Sequence, residues 1–112
     1  MAASNFSNCI KEYLGRQFNF PEEQVESMMP QFRRTLVSHM TNLEKIHRQE
    51  SLGDLEKAAH TIKGAFLNLG LTDCAELAKQ IEGGAANNDT TIDYTALIAH
   101  IGDIVNAIVK ER

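Results

Sequence analysis

The chain has 112 residues, 43% hydrophobic and 23% charged, with two prolines and two cysteines. That describes one globular domain long enough for a single core, not a disordered or disulfide-stapled chain. Acidic residues outnumber basic ones 15 to 11, for a formal charge of −4, and no basic cluster exceeds the pair Arg33-Arg34, which argues against a nucleic-acid surface. No run reaches the roughly 20 apolar residues of a membrane span, and the start Met1-Ala2-Ala3-Ser4-Asn5-Phe6 lacks the regions of a signal peptide, so a cytoplasmic protein is expected.

Period 3.6 recurs along the chain and period 2 nowhere persists, which predicts an all-α fold. A first helix near 4–17 presents Phe6, Cys9 or Ile10, Tyr13 and Leu14 on one face, making residues 1–18 an accessory segment. Pro21 and the acidic pair Glu22-Glu23 open a long helix, with an apolar stripe of Val25, Met28, Met29, Phe32, Leu36, Met40, Leu43 and Ile46 running to about Gln49. Pro30 should kink it or split it into 22–28 and 30–49.

Gly53-Asp54 breaks the pattern, and Asp54 is the expected N-cap of a helix from about Leu55 to Leu69 that Gly70 ends in a left-handed cap. Thr72 should cap the next helix, about 73–82, with Cys74, Leu77, Ala78 and Ile81 inward; both Cys9 and Cys74 read as small apolar residues. The run from Gly83 to Asp89 reads as loop. Thr90 or Thr91 then starts a last helix, with Tyr94, Leu97, Ile98, Ile101, Val105 and Ile108 on one face and Lys110 and Arg112 at its end. Residues 21–112 should form an antiparallel up-down four-helix bundle beside the additional short N-terminal helix, in a single domain that nothing requires to be more than a monomer.

Wound at about 100° per residue, the third of these five helices gathers Leu55, Ala58, Ala59, Ile62, Ala65, Phe66 and Leu69 in one apolar sector and leaves His60 on nearly the opposite side. Glu56, Lys63, Gly64 and Leu67 surround it on the same surface. An imidazole of ordinary basicity is largely a free-base nucleophile near pH 7, and a flexible ammonium three residues on can face an anion attached to it. Glycine within a helix costs about 0.5–1 kcal/mol relative to alanine, so Gly64 asks for a reason; its position beside His60 points to clearance for a partner's loop. Leu67, apolar and on the solvent side, together with Glu56 would belong to a docking patch.

The stretch His60-Thr61-Ile62-Lys63-Gly64, followed by Asn68-Leu69-Gly70, resembles the signature of histidine-containing phosphotransfer (HPt) domains, and the likeness in helix order extends from about Pro21 to the C-terminus. It implies a phosphorelay protein of two-component signal transduction: His60 accepts a phosphoryl group as phosphohistidine, Lys63 compensates its charge and Gly64 clears its approach. In the family the facing helix supplies a Gln or Glu that orients the imidazole, and Glu82 falls at that place. The implied partners are response-regulator receiver domains and a hybrid or simple sensor histidine kinase. Mg²⁺ and acidic residues would come from the receiver, leaving this chain with no cofactor of its own. The chain departs from the family's usual small residues at Phe66, which enlarges the core, and at Leu67, which bears on partner choice.

No phosphate-cradling glycine loop is present, so the chain should be a carrier and not a kinase. Two other classes fit a helical bundle. One is an adaptor that docks partners without chemistry through the same face. The other is a metal-binding bundle, which four histidines permit but which no His-x-x-x-His or Cys-x-x-Cys spacing supports. His39 reads as a core-edge residue and His47 and His100 as surface positions; Met28, Met29 and Met40 have core spacing.

Overall fold

The computed structural model describes residues 5–111, and five helices with no strand make up its regular structure. They are α1 (Phe6–Phe18), α2 (Glu22–Arg48), α3 (Leu52–Asn68), α4 (Thr72–Ala86) and α5 (Tyr94–Lys110). Successive helices from α2 to α5 pack on one another and α5 closes back on α2, so these four form a ring around one core. The short connections make neighbours antiparallel. α1 lies outside the ring and packs on α2. Residues 1–4 and Arg112, on which the start of the first predicted helix and part of the last one's basic end fall, lie outside the described residues.

α2 accounts for the molecule's length: its 27 residues at about 1.5 Å each match a long dimension of 44 Å. It runs unbroken through Pro30, which overturns the predicted split. The proline removes one ladder bond, but Val25 and Met29 before it and Leu36, Met40 and Leu43 after it are buried along one face, and that shared face holds both halves in a single helix. Met28 and Phe32 are only half-buried, at the edge of the stripe.

The caps depart from expectation at three helices. Ser51, not Asp54, caps α3, its hydroxyl accepting from the Asp54 N–H at 3.3 Å, so the helix begins one residue before Gly53. Ser51-Leu52-Gly53-Asp54 has the spacing of a capping box, and Asp54 in the first turn still suits the helix dipole. Thr72 is the first residue inside α4, with Leu71 at the cap and no side-chain bond. Asp93 caps α5 by accepting from the Ala96 N–H at 2.9 Å, while Thr91 donates twice to Asp89 in the preceding turn.

α4 also runs through Gly83-Gly84-Ala85-Ala86, predicted as loop. Gly84 and Ala85 are buried, and a Cβ on Gly84 would stand 2.3 Å from Ile92 Cδ1 and 2.8 Å from the Tyr94 hydroxyl. That close approach of the α4–α5 connection, pinned by the Tyr94 O–H donating to Asp89 O at 2.6 Å, outweighs the poor helix propensity of glycine.

Every predicted inward residue of α3 is buried except Ala65, which is half-buried against the core. The helix ends as predicted at Gly70, whose φ of 75° allows Leu71 N–H to reach Phe66 O at 3.0 Å and Gly70 N–H to reach Leu67 O at 3.1 Å. In α1 the face resolves to Ile10 and Leu14, leaving Cys9 exposed and correcting its reading as an apolar packing residue. Cys74 is buried, its thiol pushed up to about 11 chiefly by burial, and it packs as a small apolar group. His47 is half-buried and not a surface position, while His39 lies at the core edge and His100 is exposed as predicted.

Candidate functional site

α3 turns His60 outward because Ala59 and Ile62 on either side of it are buried against the bundle. The imidazole side chain is 68% exposed. α4, lying alongside α3, brings up Glu82 on the residue after buried Ile81. Glu82 bridges two groups with separate oxygens: Oε2 lies 2.7 Å from His60 Nδ1 and Oε1 lies 2.7 Å from Lys63 Nζ. Lys63, one turn beyond His60, is therefore paired with Glu82.

The electrostatics of this triad follow from the lysine. Hydrogen bonding to the Lys63 ammonium holds the Glu82 carboxyl below its ordinary value of 4.5; partial burial works against this, and the bond with His60 adds to it. Glu82 is thus a carboxylate at neutral pH and can only accept, so the proton between it and His60 sits on Nδ1. In the neutral ring Nε2 then bears the lone pair, and it takes part in no hydrogen bond among the described residues. An exposed imidazole held at Nδ1 by a carboxylate is an arrangement that can offer its second nitrogen as a nucleophile.

The remaining sequence candidates divide. A Cβ built on Gly64 meets nothing within 4 Å, so no packing within this chain requires glycine there. Leu67 is 45% exposed, as its angular position predicts. Glu56, one turn before His60, is half-buried and forms no part of the His60–Glu82–Lys63 chain. Among the described residues no three His, Cys, Asp or Glu side chains stand close enough together to hold a metal.

Beside His60 lies a feature that the sequence candidates did not include: an open groove of about 590 Å³ between α1, α2 and α3. His60, Gly64 and Asn68 border it on α3, and Tyr13 and Phe18 on α1. Met28, Phe32, Thr35 and His39 of α2 line it as well. Their spacing of four, three and four residues marks a second, half-buried seam flanking the main stripe of α2, and that is the signal from which they could have been found.

Among known proteins, the model of a family described as Hpt domain matches residues 27–109. The match includes His60, Lys63, Gly64 and Glu82 and leaves out α1 and the first turn of α2. No curated protein and no solved structure matches the chain.

Proposed function

We propose, on the premise that this chain belongs to the Hpt domain family, that it carries a phosphoryl group on His60 between receiver aspartates, or from a sensor histidine kinase to a receiver. Hpt domains are phosphotransfer carriers of two-component signalling and not kinases. The observation that carries the assignment to His60 is its exposed ring, held through Nδ1 by Glu82.

In the proposed step Nε2 attacks the phosphorus of an aspartyl phosphate presented by the receiver. The N–P bond forms as the acyl P–O bond breaks, and the electron pair leaves with the aspartate carboxylate. The Nδ1 proton stays in place, and the positive charge that develops on the ring faces Glu82 at 2.7 Å. Donation to the next receiver is the same step reversed. Lys63 is close enough along the helix to turn from Glu82 toward the phosphoryl oxygens, and Gly64 leaves room for the receiver loop that must reach the ring. Leu67 and Glu56 would adjoin that contact. The chain brings no cofactor of its own; Mg²⁺ belongs to the receiver.

Transfer of label from a radioactive phospho-receiver tests this directly. Wild type should gain a label that is acid-labile and base-stable, as phosphohistidine is, and His60→Gln should gain none while keeping its helical content. Equal labelling of the two proteins would remove His60 from the mechanism.

A further inference from the structure

α1 lies outside the ring of the other four helices, and its first turn draws its hydrogen bonds from two ends of the chain. The first four N–H groups of any α-helix have no partner within it. Two of those in α1 are met from just before the helix: Asn8 N–H reaches Asn5 Oδ1 at 3.0 Å and Cys9 N–H reaches Asn5 O at 3.2 Å. The other two are met by Glu111, whose carboxylate accepts from Phe6 N–H at 2.9 Å with one oxygen and from Ser7 N–H at 2.7 Å with the other. Glu111 directly follows the last residue of α5, and an anion at this place also suits the dipole of α1.

The rest of α1 is held lightly. Ile10 and Leu14 are its buried side chains, whereas each ring helix buries at least four. Lys11 pairs with Glu26 at 2.8 Å and with Glu22 at 3.7 Å, but both carboxylates are exposed and such pairs contribute little. Tyr13 lies over Gly70, where a Cβ would stand 2.3 Å from the ring. Ser7 Oγ is buried with no hydrogen-bond partner, a cost of the docked state that water would relieve on opening. With 13 residues, α1 is also too short to persist as an isolated helix, so leaving the bundle and unfolding are one event. Its other end is tied to α2 through residues 19–21, where Asn19 turns the chain with a φ of 62°. We propose that α1 is a strap that opens as a separate unit while α2 to α5 stay folded, tethered at residues 19–21 and latched at its start by Glu111. The end of α5 thereby governs whether α1 is docked. The phosphotransfer reading is not needed for this, because neither hydrogen bond of the latch involves His60, Lys63 or Glu82.

Native-state amide exchange in the full chain tests the strap, comparing Ile10 and Leu14 of α1 with Ile62 of α3 and Ile101 of α5. In wild type the α1 amides should exchange at least about tenfold faster than the core pair, and with a weaker dependence on urea, since undocking one helix exposes less surface than unfolding the molecule. Glu111→Ala, which removes both acceptors, should speed α1 exchange by a further factor of about ten and leave Ile62 and Ile101 within about twofold of wild type. Glu111→Gln keeps one acceptor oxygen and should fall between the two. Exchange of α1 and the core at one rate in wild type overturns the separate opening. Unchanged α1 exchange in Glu111→Ala overturns the latch, and so does an equal acceleration of α1 and the core, because Glu111 would then support the whole fold.

Discussion

Ionised Glu82 holds His60 and Lys63 through separate oxygens, so protonating it removes both contacts at once. Its folded-state pKa lies below the ordinary 4.5, chiefly through Lys63, so the unfolded chain binds the proton more readily. Its contribution to stability is therefore complete above the ordinary carboxylate range and lost as pH falls through the folded-state value. Urea denaturation of wild type and Glu82→Gln should show a gap in midpoint at pH 7 that closes as the pH is taken below 4.5. Gly64 allows stability and function to be separated. Because its Cβ direction is open, Gly64→Gln should leave the fold as stable as wild type or more so, by up to about 0.5 kcal/mol from helix propensity. Receiver transfer should nevertheless fall, and normal transfer would show that clearance is not its purpose. Glu82 was reachable from the sequence only through the family resemblance, since nothing local to α4 marks a carboxylate that meets a ring 22 residues away.

The two adjacent glycines of α4 should respond in opposite ways. Gly83 faces open space, and Gly83→Ala should stabilise the protein by about 0.5–1 kcal/mol through helix propensity. Gly84→Ala pushes a methyl group into Ile92 and Tyr94 and should destabilise by about 1–3 kcal/mol, the usual cost of overpacking. Thermal denaturation of the pair checks both signs. These residues also show why the C-terminal half of α4 was not legible: local composition favours a loop, and only contact with the α4–α5 connection reverses that preference. The displaced caps have a more local cause. Ser51 precedes the recognisable apolar period of α3 by a full turn, and Asp93 lies just behind Thr91, which is bonded back to Asp89 in a turn of its own.

Across the whole molecule, four helix stripes meet in one core in which Phe66, Leu36, Leu43, Ile62, Ile81 and Ile101 are almost wholly excluded from water. The ring of Phe66 is fully buried. Phe66→Ala should cost about 3–5 kcal/mol, a large share of the stability of a domain this size, read as a lowered denaturation midpoint. His60 points away from that core, so phosphoramidate labelling of the folded fraction should persist. No helix of the described residues is long and apolar enough to cross a membrane. The sequence by itself determined the helix order, the inward faces of α3 and α5, the left-handed stop at Gly70 and the outward histidine, because each depends on period 3.6 or on a residue type acting within one or two turns. Tertiary structure alone decided that Glu82 joins Lys63 to His60, that α2 stays whole through Pro30, that α4 continues through its glycines, and that Glu111 accepts from the first amides of α1. Each of these is a balance between a local preference and a contact whose partner lies elsewhere in the chain, and no local window of sequence contains both sides of it.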